Sequence, residues 1–199
     1  MEGTARQEEE VRRRADFAQL YSNFFESHSK EAIAVIDYNL PYPKEEFLKF
    51  LVEEKHLLLH GSSNQNLEVL APQQTNDGAK EFGNKKAVYA VTDSVLPIFY
   101  AIRDRTKIRG AIISGYEADA ETGEAKYEFR MSREAIEAKP WTRGAVYILD
   151  HSSFAQGVND KGELVDEWAA ETAVRPIAKL GVVPEDFRFI NEIKPLDEE

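Results

Sequence analysis

Three leucines, Leu57-Leu58-Leu59, run without a break into His60-Gly61-Ser62. A strand that only filled a core would not change character so abruptly, so this one stops and presents polar groups at its end. Further on, Ala87-Val88-Tyr89-Ala90-Val91 makes a second short apolar strand that carries one phenol, and a short helix containing Tyr100 follows it. The pattern reads as a ligand site. Other constellations find little support. His28, His56 and His151 are widely separated and no HExxH spacing occurs, which argues against a metal site. The chain has no GxGxxG, no P-loop and no Gly-x-Ser-x-Gly elbow.

His60-Gly61-Ser62, Tyr89, and Glu167 within Asp166-Glu167-Trp168 resemble, in order and rough spacing, the ADP-ribosyltransferase superfamily in its diphtheria-toxin-like and PARP-like branch. In that branch a first strand ends in His-Gly-Ser or His-Gly-Thr, a second carries a Tyr, and a later strand opens with Glu. The resemblance covers about residues 55–187. It implies NAD as substrate, cleaved between nicotinamide and ribose through an oxocarbenium-like transition state. It further implies that Gly61, lacking a Cβ, offers its N–H and C=O to the carboxamide. Ser62 would add a hydrogen bond and His60 would contact the adenosine ribose. Tyr89 would stack on the nicotinamide, worth on the order of 1 kcal/mol beyond area burial. Tyr100, or Phe99 if the register slips, would cover the other face, and Glu167 would stabilise the cationic sugar, with Glu171 as the alternative. Lys85, Lys86, Arg103 and Arg105 are the cations in reach of a pyrophosphate. One departure stands out: where the PARP-like pattern places a Ser in the helix, this chain has Pro97, which has neither hydroxyl nor N–H.

The resemblance implies transfer of ADP-ribose to an acceptor that no motif names, a protein being one candidate, or hydrolysis of NAD. Two alternatives keep the fold. One is a catalytically degenerate member acting as a ligand-binding or protein-interaction module. The other resembles the RNA 2'-phosphotransferases of the same superfamily and needs a basic groove. A third alternative discards the resemblance: His60 and Tyr89 are then coincidental residues of a structural domain.

Bulk composition bounds these readings. At 199 residues the chain suits one domain with a full-sized core. Hydrophobic residues make up 42% and charged residues 31%, as in ordinary globular proteins. A formal net charge of -11 argues against a nucleic-acid surface, which needs Lys and Arg to neutralise phosphates. With no cysteine there is no disulfide, no thiolate metal ligand and no thiol nucleophile. Residues 1–14 show no apolar run, and no stretch approaches the ~20 apolar residues of a membrane span, so the expected location is the cytoplasm.

The elements that must position the site follow from periodicity. Residues 5–34 read as one or two amphipathic helices, with Val11, Ala15, Ala18 and Phe25 on a stripe widened by Phe17, Leu20, Tyr21 and Phe24. Pro41 and Pro43 break the pattern. A second helix is expected over 44–54, leading directly into the Leu57 strand. Residues 64–86 read as a long loop, anchored by Leu67, Val69 and Leu70, that borders the ligand cleft. After a strand at 88–91, Thr92-Asp93-Ser94 supplies capping side chains for the helix, with Pro97 in its first turn. Strands are expected at 110–116, 125–131 and 144–149, the first two joined by a hairpin at 118–124. A capped short helix is expected after Ser132, a tight turn at 159–162, strands at 167–173 and 177–182, and a frayed 197–199. The expected fold is α+β: a mixed, mostly antiparallel split β-sheet of ADP-ribosyltransferase type with an amino-terminal helical region. The expected division is 1–54, a helical extension packed on the domain, and 55–199, the ADP-ribosyltransferase-like domain.

Overall fold

The computed structural model describes residues 2–26, 32–74, 85–119, 122, 124–159 and 161–196. Four helices, α1 (Glu2–Glu26), α2 (Lys44–Lys55), α3 (Leu96–Ala101) and α4 (Arg133–Glu137), accompany eleven strands. These are β1 (Ala34–Ile36), β2 (Leu58–Ser62), β3 (Gln73–Gln74), β4 (Lys86–Ala90), β5 (Ile112–Ala118), β6 (Ala125–Met131), β7 (Gly144–Leu149), β8 (Ala155–Val158), β9 (Leu164–Ala170), β10 (Ala178–Val182) and β11 (Lys194–Pro195). They form three sheets in the orders β1-β10-β7-β2, β3-β4-β9-β8 and β11-β6-β5. Only β1 with β10 and β11 with β6 run parallel; the other pairings are antiparallel. The architecture is α+β with mostly antiparallel sheets and an amino-terminal helix.

Strand alternation divides the interior in two. Along β2 and β7, Leu59, Val146 and Ile148 face a large cluster with α1, α2, α3 and Phe187, whereas Leu58, Tyr147 and Leu149 face a smaller one with Val88, Ala170 and Val174. Helix α1 joins the large cluster through Phe17 and Phe24. The Phe17 ring meets Tyr42 and Phe47 at 5.5 Å each and Phe50 at 5.8 Å. The ion pairs Arg13–Glu46 (2.7 Å) and Arg14–Glu54 (2.6 Å) also join α1 to α2, but they lie at the surface. Such pairs contribute about 0–1 kcal/mol each, against about 1.5–3 kcal/mol for each buried ring, so burial decides where α1 sits.

In α2, Phe47, Leu48, Phe50 and Leu51 recur at helical spacing and are all buried. The helix ends where His56 takes the left-handed conformation (φ 53°) and donates its N–H to Val52 O at 3.1 Å, which turns the chain straight into β2. The close seating of α3 explains two glycines. A Cβ on Gly61 would stand 2.0 Å from Pro97 O, and one on Gly144 would stand 2.0 Å from Ala101 O. Both strands need glycine there because the helix backbone rests on them.

Several elements differ from the sequence expectation. Residues 27–31 and 197–199 lie outside the described residues, and Ala34 begins an edge strand rather than ending a helix. Strand β9 starts at Leu164 and stops at Ala170, so Glu167 is its fourth residue and does not open it. The described part of the 64–86 loop lies on the face of the smaller cluster. Tyr147 Oη donates to Asn64 O (2.7 Å) and accepts Leu67 N–H (3.1 Å), and Leu70 exchanges backbone hydrogen bonds with Val174. Val69, taken as an anchor, is exposed. Residues 75–84 lie outside the described residues. No helix among the described residues is long and apolar enough to cross a membrane.

Candidate functional site

Strands β2 and β4 touch at one point. Leu59 and Val91 exchange both backbone hydrogen bonds, at 2.9 and 3.0 Å. This fixes the direction of every neighbouring amide. Leu59 turns its N–H and C=O toward β4, so Gly61, two residues on, turns its own the same way, while Leu58, His60 and Ser62 bond β7. No ladder continues past Leu59, and the two strands part there. The His60 side chain takes the next position: its Nδ1 donates to Tyr89 O at 2.7 Å. A carbonyl only accepts, so the neutral ring carries its proton on Nδ1 and leaves Nε2 bare. Burial, outweighing this hydrogen bond, holds the His60 pKa below its ordinary value, and the nearby Arg105 charge adds to the effect.

Gly61 and Tyr89 share one face. Leu59 and Val91 are a direct pair and Leu59 points to α3; two residues along each strand, Gly61 and Tyr89 point the same way. Tyr89 pairs with Ala169, and a register shift interrupts β9 between Trp168 and Leu164, the stretch that holds Glu167. The Tyr89 hydroxyl donates to Lys85 O at 2.9 Å, which lays the ring back along its own strand. Ser62 and His60 stand on the other face of β2. The Ser62 Oγ accepts Asn64 N–H at 3.2 Å as the chain leaves β2.

Helix α3 forms the next wall. Asp93, buried, accepts Val95 N–H (2.9 Å) and Leu96 N–H (2.6 Å) through one oxygen and the Tyr127 hydroxyl through the other. Capping by Asp93 starts the helix, and Pro97 fits its first turn because its missing N–H is not needed there. Phe99 is buried in the core, whereas Tyr100 is half-buried and its hydroxyl meets Ser114 Oγ at 3.3 Å. Arg103 lies against both rings, its guanidinium carbon 4.9 Å from the centre of Phe99 and 4.7 Å from that of Tyr100.

Sequence reasoning missed Asp166. Its Oδ1 accepts both the N–H and the hydroxyl of Thr92, each at 2.6 Å, and its Oδ2 accepts the Tyr116 hydroxyl at 3.1 Å. Burial, followed by the Asp166 charge, pushes the Tyr116 pKa up; burial and Asp93 do the same to Tyr127. Burial likewise raises Asp93 above the usual carboxylate range, against the hydrogen bonds that lower it. The one available signal was the acidic pair Asp166-Glu167, of which only the second residue was singled out. Glu171 is exposed and lies 3.9 Å from Lys85, and Trp168 faces the smaller cluster with His151 edge-on at 4.7 Å.

Two clefts open elsewhere. One of about 290 Å³ lies between Val35, Leu67, Arg175 and Lys179, and one of about 460 Å³ between Tyr127, Phe129, Phe189 and Ile193. Neither reaches His60, Tyr89, Tyr100 or Glu167, so converging polar groups rather than an open cleft mark the candidate site. Chemically, the arrangement offers a strand edge with paired amide donor and acceptor and a phenol on the same face, with Arg103 packed against the rings of the helix. Compared with protein-family models, with curated proteins and with solved structures, the chain matches none.

Proposed function

We propose that this protein binds NAD as substrate and acts as an ADP-ribosyltransferase-like enzyme, transferring ADP-ribose to an acceptor or to water. One observation carries the reading: beyond the Leu59–Val91 bridge, Gly61 turns its N–H and C=O toward the parting strands, on the face shared with Tyr89. A flat primary carboxamide is the complement of such an edge, because it offers one acceptor and two donors in a plane. Tyr89 and Tyr100 supply ring faces, and Glu167 on β9 supplies negative charge. In the reaction, the bond from ribose C1' to the nicotinamide nitrogen breaks with its electron pair going to the ring. The acceptor oxygen or nitrogen bonds C1' and releases its proton to solvent or a carboxylate. Glu167 acts by favouring the cationic sugar.

The reading is tested by incubating the whole chain with NAD and measuring nicotinamide release in wild type, Tyr89→Ala and Glu167→Gln. Release in wild type that falls at least about tenfold in Glu167→Gln supports it, since a preorganised charge supplies more than about 1.4 kcal/mol. Saturable NAD binding with no turnover in wild type favours the degenerate-module alternative, to which the close cover of Gly61 by Pro97 lends its own support. No binding and no turnover sink both.

A further inference from the structure

Helix α1 runs for 25 residues, yet its ties to the domain begin only at Arg13. From there Arg13, Arg14 and Asp16 reach Glu46, Glu54 and the Tyr42 hydroxyl, Phe17 and Phe24 enter the large cluster, and Leu20 and Tyr21 pack against it. Residues 4–12 are exposed. The stripe of Val11, Ala15, Ala18 and Phe25 is therefore not the one that seats the helix, because the stripe of rings lies about a third of a turn further round. Phe25 lies back on Tyr21, the rings stacked at 5.2 Å, and Ala18 is partly covered, which leaves Val11 70% exposed with Ala15 beside it. A run of helix without tertiary cover has little stability of its own, so this end gains from one.

The charges around Val11 select the cover that fits. Glu8-Glu9-Glu10 precede it and Arg12-Arg13-Arg14 follow it, so the chain carries opposite charge in its two directions from Val11. Glu8 and Arg12 lie one turn apart on the same flank of Val11, and no ion pair among the described residues engages either. We propose that this face of α1 is the interface of a homodimer in which two copies cross antiparallel at Val11. A twofold axis there sets Glu8 of each copy toward Arg12 of the other and lays the two Val11 side chains together, with Ala15 small enough to let the helices close. A parallel pair would lay glutamates beside glutamates and arginines beside arginines, so charge decides for the antiparallel one. The stripe of rings that holds each domain faces away from the crossing. A contact of a few turns covers less than the ~1,200 Å² at the low end of standard interfaces, so the dimer is weak and exchanges readily. It stands independently of the NAD reading.

Sedimentation equilibrium of the whole chain tests the dimer. Wild type should pass reversibly from monomer to dimer as concentration rises, and less readily at high salt, which screens exposed charges. Glu8→Arg and Arg12→Glu each turn both attractions into repulsions, so the dimer dissociation constant should rise at least about tenfold in either variant alone. Both positions are exposed, so each variant should keep the wild-type far-UV spectrum. Mixed one to one, the two variants complement each other, and the mixed dimer should bind at least about tenfold more tightly than either variant binds itself. Wild type that stays monomeric at the highest soluble concentration overturns the proposal and leaves the face to a different partner. A dimer equally stable in folded Glu8→Arg overturns it as well, by placing the interface elsewhere. Variants that dissociate alone and do not associate on mixing overturn the antiparallel pairing, and the proposal with it.

Discussion

A single imidazole links β2 to β4 where the sheet divides. His60 donates Nδ1–H to Tyr89 O whether or not Nε2 is protonated, and burial is the main reason its pKa lies below the ordinary 6.5. Below that ordinary value the unfolded chain takes up a proton that the folded chain refuses, so folding is progressively disfavoured as pH falls from about 6.5 toward the lowered pKa. Asp93 and Glu45, raised chiefly by burial, act with the opposite sign: their contribution is lost as pH rises through their raised values. A comparison of variants isolates the histidine. Glutamine at this position can still donate to Tyr89 O but does not titrate. Between about pH 7.5 and about pH 5.5, the urea midpoint of wild type should drop further than that of His60→Gln. Equal drops would mean that the His60 ring is proton-accessible and not held by burial.

At the scale of elements, two carboxylate–phenol bonds fasten the β5–β6 hairpin to the rest of the fold. Tyr116 and Tyr127 are directly opposite in that hairpin, and they reach Asp166 on β9 and Asp93 at the start of α3. Through Thr92, Asp166 also holds the turn between β4 and α3, so one carboxylate ties three elements. Removing the Tyr116 hydroxyl should cost about 1–2 kcal/mol, as for other hydrogen bonds to charged, half-buried groups. Amide exchange should quicken in β5 and β6 of Tyr116→Phe while β2 and β7 keep their protection. The double variant Tyr116→Phe/Asp166→Asn should cost less than the sum of the singles. Additive costs would show that the two side chains do not act together. None of this was legible in the sequence, because a phenol on an amphipathic strand looks the same whether it meets water or a carboxylate thirty or more residues away. What the sequence did specify was local: α2, β6, β7, the Ser132 cap of α4 and the Asp93 cap of α3 all follow from periodicity and capping chemistry. It failed where tertiary pairing makes the element. Strand β1 has three residues and exists because β10 lies beside it, and β9 begins at Leu164, three residues before the expected start, because β4 and β8 flank it. Gly61 drew notice as a ligand contact, yet its first requirement is room for Pro97, which no local pattern encodes.

Over the whole molecule, the two apolar clusters are not two independent cores. Adjacent residues of β2 and β7 alternate between them: Leu58 and Tyr147 belong to one, Leu59 and Val146 to the other. Neither cluster can come apart without pulling these central strands out of the opposite one. Helix α1 is bound into the same unit by Phe17 and Phe24, although residues 4–12 are exposed, Val11 to 70%. Two tryptophans report on the two sides, Trp141 packed against the large cluster and Trp168 against the small one. Truncating Phe17 to alanine removes a ring that touches Tyr42, Phe47 and Phe50, a loss of about 3–5 kcal/mol for a core aromatic. If the strands couple the clusters as argued, that loss lowers one shared transition: far-UV ellipticity and tryptophan emission of Phe17→Ala should move to the same lower denaturant midpoint. Helical signal lost ahead of the fluorescence change would instead show α1 and α2 unfolding on their own.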